Sequence, residues 1–508
     1  MVRELRKGGA KRATVIVLGD FGRSPRMQYH ALSLAKQGGF LVDVLAFGGS
    51  QPINEIVNND RIKVHTLPDR SGGLQQRRGA LQKVLKALLQ LCTLLRMLLF
   101  TLPSPDVLLL QVPPALPTLP VCWLAACWHG AAFIVDWHNF AYTLMALNMG
   151  QQDFLVRMAE RLERFWGRRA AAHLCVSHAM QRELASGWGI QATVFHDRPP
   201  SMFRPTPIAE AHLLWLRLTP ALAKPMQPHD FCAAALRPVV NLMGGDQAAA
   251  GLSAEIVAET RGVDAQRLLP ELDPKTGPLH TPDSHPRGTP EQQAAHRIAQ
   301  HLSICTRMAA AGSAPELRAD RPAVVVSSTS WTPDEDFGIL LEAAKLYDAR
   351  ARRKGSKLPA LLLIVTGKGP QKAMYQAAME ELDLRHVAFR TLWLEPEDYP
   401  VLLGACDAGV SLHTSSSGLD LPMKVVDMFG SGLPVCAASY SCIDELVSEY
   451  RNGLLFTTAE QLADCLESML TGFPAGSTQL ARLPTTQVSH SPDFFTKQHA
   501  PNLPYTCL

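Results

Sequence analysis

Short apolar runs recur along the chain, separated by segments of helical or loop character. In the first part they fall at Thr14–Leu18, Leu41–Ala46, Ile62–His65, Val107–Leu110, Ala132–Val135, His173–Val176 and Thr193–Phe195. This strand and helix rhythm predicts a parallel, doubly wound sheet. The rhythm returns at Ala323–Val326, Leu361–Val365, Ala408–Leu412 and Pro434–Ala437. The expected architecture is therefore α/β, with two Rossmann-like domains over 13–200 and 321–470 facing each other across a cleft and ligands at the strand carboxyl ends. From about Pro205 to Asp320 the chain is rich in Pro, Ala, Gly and His and lacks a sustained strand pattern, so 201–320 reads as a linker with a low-order insertion. Within it, Ala294, Ala295, Ile298, Leu302 and Ile304 give a partial apolar stripe that suits a short helix over Glu291–Met308. Residues 471–508 read as a low-order tail.

One apolar segment has two readings. Over Ala80–Phe100, Leu81, Val84, Leu85, Leu88, Leu89, Cys92, Leu95, Leu98 and Leu99 form a broad face, with Arg77, Arg78, Lys83, Lys86 and Arg96 at hand. That pattern suits a helix lying on a membrane surface, and equally one buried on its own sheet. The charges inside the run argue against a transmembrane span. Leu116–Ala126 is a second apolar, proline-marked surface candidate.

Composition narrows the classes. A chain of 508 residues with 47% hydrophobic content can fill two cores. A net charge of +3, with no block of basic residues alternating with aromatics, argues against nucleic acid as a partner. The eleven cysteines form no C-x-x-C pair and no metal-ligand spacing with histidine, which fits reduced thiols in a cytosolic setting. Nothing resembles a D-x-D metal motif, and no metal or cofactor is expected. Gly19-Asp20-Phe21-Gly22 and the later loops fail to complete G-x-G-x-x-G, which argues against a dinucleotide cofactor.

The densest chemistry lies in Leu412–Val435, where a strand, a loop of small polar residues and a helix follow one another. Ser415, Ser416, Ser417 and Gly418 combine little bulk with many hydrogen-bonding groups, and the helix starting near Pro422 offers free N–H donors. Lys424 adds a positive charge, and Asp427, three residues on, lies on nearly the same face and can accept ribose hydroxyls. Spacing alone also admits a capped helix with Lys424 and Asp427 as a solvated pair. Thr366-Gly367-Lys368-Gly369-Pro370 follows an apolar strand, and its two glycines would let backbone and the Lys368 ammonium approach a phosphate together. In the first half, Gly19–Arg26 forms a β-α turn in which Gly22, Arg23 and Arg26 can meet an anion, or in which the arginines are simply solvated. Asp136-Trp137-His138-Asn139 closes a strand and places His138 at its end, where it can serve as a general base, bind sugar or remain structural.

Five blocks in order, Gly19–His30, Asp136–Asn139, Ser327–Trp331, Thr366–Pro370 and Gly418–Gly430, resemble the chitobiosyldiphosphodolichol β-mannosyltransferase family, over roughly residues 13–200 and 321–470. The resemblance implies a GT-B fold and an inverting transfer of the first β-1,4 mannose from GDP-mannose to dolichol-diphosphate-linked chitobiose, on the cytosolic face of the endoplasmic reticulum. It implies a donor site of Gly367, Lys368, Gly369, Ser416, Ser417, Gly418, Lys424 and Asp427. Trp393 and Glu395 fall where such enzymes hold the nucleotide base, though Trp393 can equally be core. It further implies acceptor-diphosphate contacts from Gly22, Arg23 and Arg26, and a base in His138 or Asp20. Many GT-B enzymes carry a basic pair after the first strand of the second domain, whereas Ser327–Phe337 contains no Lys or Arg, so leaving-group charge would fall on Lys368, Lys424 and helix amides. Family members begin with an apolar anchor and finish with a Trp-containing helix. Here Met1–Arg12 is basic and Gly472–Leu508 has no Trp, so peripheral membrane contact is expected. Two further readings stay open: a GT-B transferase for another nucleotide sugar, or a weak paralogue that binds other mannosyltransferases.

Overall fold

In the computed structural model, alternate residues of each central strand enter opposite cores, as a period of two dictates. Residues 10–67, 91–242, 302–308 and 313–474 are described. The chain divides into two units. The first comprises the described residues to Arg198 together with Ser415–Leu421; the second starts at Pro199 and takes the remainder.

The first unit holds β1 (Arg12–Asp20), β2 (Leu41–Phe47), β3 (Ile62–Leu67), β4 (Val107–Val112), β5 (Ala132–Trp137), β6 (Ala172–Cys175) and β7 (Thr193–Val194). They form one parallel sheet in the order β3-β2-β1-β4-β5-β6-β7. Val15, Val17, Val44, Leu109 and Ile134 face one core, while Ile16, Leu45, Leu108, Leu110 and Val135 face the other. The order reverses between β1 and β4, the place where such sheets bind ligands. The helices that matter below are α1 (Pro25–Lys36), α2 (Thr118–His129), α3 (Ala141–Met149), α4 (Phe154–Gly167) and α5 (His178–Trp188). Trp137 and Trp188 meet edge to face at 5.5 Å, and a Cβ at Gly167 would come within 2.9 Å of Trp137, so α4 can lie against β5 only with glycine there.

The second unit holds a two-stranded ribbon, β8 (Thr306–Arg307) with β9 (Glu316–Leu317). Its main sheet is β10 (Ala323–Ser328), β11 (Leu361–Thr366), β12 (Val387–Leu392), β13 (Ala408–Ser411), β14 (Val435–Ala438) and β15 (Gly453–Phe456). This sheet is parallel, in the order β12-β11-β10-β13-β14-β15, and again reverses beside its first strand. Val324, Val326, Leu362 and Ile364 face one core and Val325, Leu361, Leu363 and Val365 the other.

One expectation is corrected. The start of the supposed linker is structured: α6 (Ile208–Leu222) and α7 (Phe231–Leu242) belong to the second unit. Leu214, Trp215 and Leu222 enter its core, and Arg390 holds Asp230 through two hydrogen bonds of 2.7 and 2.8 Å. The sequence after α7, 243–301, lies outside the described residues, and with it 291–301 of the expected short helix, while Thr306–Arg307 at the end of that stretch is a strand. Of the expected surface helix, 80–90 lie outside the described residues, and in 91–101 Leu94 and Leu98 are buried in the first unit's core. Cys92 and Phe100 on the same stretch are exposed, so the described part has a buried side and an exposed one. Among the described residues no helix is long and apolar enough to cross a membrane. The tail beyond 474 is also outside them.

Candidate active site

In the first unit the chemistry converges on Asp136, fully buried near the end of β5. Its Oδ1 accepts from Arg26 Nη2 at 2.7 Å, and its Oδ2 from Arg26 Nε at 2.7 Å, His138 Nε2 at 3.0 Å and His30 Nε2 at 3.1 Å. Burial pushes this carboxyl up, but the charges and hydrogen bonds of Arg26 and His138 outweigh it and hold Asp136 well below the usual carboxylate range. Burial holds His30 below its ordinary value. A carboxylate only accepts, so in the neutral ring Nε2 of His138 carries the proton and Nδ1 is the basic nitrogen. His138 is half-buried, while its backbone N–H donates to Val112 at the end of β4.

Arg26, expected to meet an acceptor diphosphate, is held by protein partners in this structure. Its side chain is 4% exposed and is committed to Asp136, to Asp197 at 3.2 Å and to the Phe195 carbonyl. A guanidinium so enclosed ties the end of β5 to the chain around Phe195 and Asp197. Asp20, the other expected base, is also engaged by protein donors. It caps the turn after β1, accepting from the Gly22 N–H at 3.0 Å and from the Ser50 N–H and hydroxyl at 2.9 Å each. Burial pushes Asp20 up, yet these bonds prevail and keep it below its ordinary value, which makes it a poor base. Gly22 is required because a Cβ there would lie 2.3 Å from the Ser50 carbonyl. Arg23 keeps an exposed guanidinium and donates to Ser50 at 3.0 Å.

Ser415–Leu421 groups with this unit. Asn139 Nδ2 donates to Asp420 at 2.9 Å and to Ser416 at 3.2 Å, Ser417 donates to Asp420 at 3.3 Å, and Leu419 packs on the core beside β5. Gly418 has φ of 72°, a left-handed turn that glycine adopts without strain.

In the second unit the loops after β10, β11, β12 and β13 meet at the strand carboxyl ends. Glu335, 2% exposed, accepts from the Ser330 N–H at 2.7 Å and from the Thr329 hydroxyl, and it pairs with the Lys424 ammonium. Lys424 also donates to Ser330 Oγ at 3.2 Å. Lys424 opens α8 (Met423–Gly430), so the charge sits at a helix N-terminus next to the point where strand order reverses. Gly367 and Gly369 lie tight against the loop after β10. A Cβ at either would lie 1.8 Å from the carbonyl of Thr329 or Ser330, so the glycines press two loops together. The Lys368 ammonium lies 3.7 Å from the exposed Trp393 ring centre, a cation–π contact that unites a residue expected at phosphate with one expected at the base. Tyr399 donates to Ser328 at 2.9 Å, and burial, then the charge of Asp427, pushes its hydroxyl up. Glu395 is exposed, and its backbone carbonyl accepts from Asp398 and Tyr399.

Residues 22–196 match the model of a glycosyl transferase 4-like domain, and 313–474 that of glycosyl transferases group 1. The chain is 39% identical to the human chitobiosyldiphosphodolichol beta-mannosyltransferase and 38% identical to the mouse one, covering 92% and 94% of this chain and 87% and 84% of theirs. The chain belongs to the chitobiosyldiphosphodolichol beta-mannosyltransferase family. It is a glycosyltransferase with two Rossmann-like units of the GT-B kind. An Arabidopsis thaliana relative named UDP-glycosyltransferase TURAN is 45% identical over 94% of this chain and 92% of its own. Among solved structures, a sucrose-phosphate synthase from Thermosynechococcus elongatus shares the fold at TM-score 0.53 and 12% identity, with 94% of each chain covered.

In this family member, sequence reasoning did not single out Glu335, Asn139 or Asp420. Glu335 carried a weak signal, an acid in a stretch of small polar residues that lacks any Lys or Arg. Asn139 stood inside a quoted block, but its partners are 277 and 281 residues away and no local pattern links them.

Proposed function

We propose that this chain adds the first β-1,4 mannose from GDP-mannose to dolichol-diphosphate-linked chitobiose, with inversion at the sugar carbon, at the cytosolic face of the endoplasmic reticulum. The observation that carries the chemistry is the Asp136–His138 contact of 3.0 Å at the end of β5. A buried, ionised carboxylate orients the imidazole and stabilises the imidazolium that forms when Nδ1 takes a proton. His138 removes the proton of the acceptor hydroxyl, whose oxygen bonds to C1 of the mannose. The bond from C1 to the diphosphate oxygen breaks, and GDP departs with the electron pair. Lys424, the first-turn amides of α8 and Lys368 receive that charge, supported by Ser416, Ser417 and Gly418. Asp427 accepts the ribose hydroxyls, Trp393 stacks on the base with Glu395 beside it, and Arg23 with the Gly22 amide meets the acceptor diphosphate.

The test is transfer from labelled GDP-mannose to a lipid-diphosphate chitobiose by the unaltered chain and by His138→Ala. Product from the first and a loss of roughly 100-fold or more in kcat for the second are expected. Absence of product from the unaltered chain overturns the reading. The name of the Arabidopsis thaliana relative, a UDP-glycosyltransferase, favours one alternative, a UDP-sugar donor. A larger rise in melting temperature with UDP than with GDP would select it.

A further inference from the structure

Helix α4 is inverted relative to an ordinary surface helix. Its inward residues are Val156, Ala159, Glu163 and Gly167, small apart from one carboxyl. Phe154 is 67% exposed, and Leu155, Met158, Leu162 and Phe165 also face solvent. At roughly 100° per residue, these five fall within one stripe about 100° wide. Arg157 and Arg161 run along its flank, exposed and unpaired with any carboxylate among the described residues. Helix α3 packs beside α4 and adds exposed Leu144, Leu147 and Met149. Soluble surfaces rarely gather so many large apolar side chains without a use for them.

We infer that the α3–α4 face docks on an anionic lipid bilayer at the boundary between headgroups and acyl chains. Charge selects lipid phosphate as the partner. On this helix Glu160 already pairs with Arg164 at 3.1 Å and Asp153 caps the Leu155 N–H at 2.7 Å, which leaves Arg157 and Arg161 for anions. Arg169 stacks 3.5 Å over Phe165, an arginine and aromatic pair suited to an interface that is apolar on one side and wet on the other. The face is continuous with the site, because α3 starts at Ala141, directly after His138, Asn139 and Phe140. This inference rests on the proposed lipid-linked acceptor, whose chain stays in the bilayer while its sugars reach His138.

The full chain is sedimented with phosphatidylcholine vesicles and with vesicles part-substituted by phosphatidylinositol. Binding to the anionic vesicles is expected. The triple variant Phe154→Ser, Met158→Ser, Leu162→Ser weakens it roughly tenfold or more, and Arg157→Gln with Arg161→Gln does so only on the anionic vesicles. Both variants keep the parent's melting temperature, since the replaced side chains are exposed. Equal binding by parent and triple variant, or no binding by the parent, overturns the inference. So does a parent oligomer that the triple variant disperses while vesicle binding persists, which would mark a protein interface. Transfer to a detergent-dissolved acceptor, scored separately, tests the proposed reaction without involving this face.

Discussion

Arg26→Met separates a guanidinium that organises the site from one that binds substrate. Arg26 makes four hydrogen bonds, two of them to Asp136 at 2.7 Å, with both side chains almost completely buried. Methionine fills much of the volume but strands a buried carboxylate, a change that costs about 3–5 kcal/mol when one partner of such a pair is removed. At roughly 2–4 °C per kcal/mol for a unit of this size, the melting temperature falls by roughly 6–20 °C, read by calorimetry. Burial then pushes the Asp136 carboxyl up against His138 and His30 without the guanidinium, so the acid limb of kcat moves to higher pH. With His138 less well held, kcat drops by about 10–100-fold while the acceptor KM stays near the parent value. A variant with unchanged melting temperature and a greatly raised acceptor KM would refute the reasoning and return Arg26 to the substrate.

Three further outcomes are expected. Lys424→Ala removes the charge at the start of α8 and leaves Glu335 buried without its cation, so the donor KM rises about 10–100-fold and stability falls, read by kinetics and thermal unfolding. Gly369→Ala drives a methyl to 1.8 Å from the Ser330 carbonyl, so the two loops separate and the protein loses about 1–3 kcal/mol in denaturant unfolding, whereas an alanine at Gly355, open to solvent with φ of 82°, costs only backbone strain. Burial pushes the Glu163 carboxyl up to about 7 although it accepts from the Ala141 and Tyr142 N–H groups. Its native form favours the proton more than the unfolded chain does, so stability is greatest below the unfolded value and declines as pH rises toward about 7. Glu163→Gln flattens that slope in melting curves taken across the same window.

The two sheets were legible because their central strands are buried on both faces and read as apolar runs, as in Val324–Val326 and Leu361–Val365. Loops at strand ends, with His138, Lys368 and Lys424, were found for the same reason: once strands are placed, their carboxyl ends follow. Helix α6 was missed because it is apolar nearly all round, with Trp215 and Leu214 buried, and because Pro220 inside it reads as a breaker. The partners of Arg26 were not legible, because a cation beside a glycine turn gives no local sign of Asp136 and Asp197, which lie far along the chain. Long-range pairs of this sort leave no periodic trace.

The grouping of Ser415–Leu421 with the first unit bears on how the chain is made. Leu419 packs on a core assembled from residues that leave the ribosome more than two hundred positions earlier, and Asn139 waits equally long for Asp420. A nascent fragment ending near Arg198 therefore carries an unfilled notch beside β5 until most of the second unit has been synthesised. Translation pausing before that point would prolong the interval in which chaperones, rather than the enzyme's own loop, cover it.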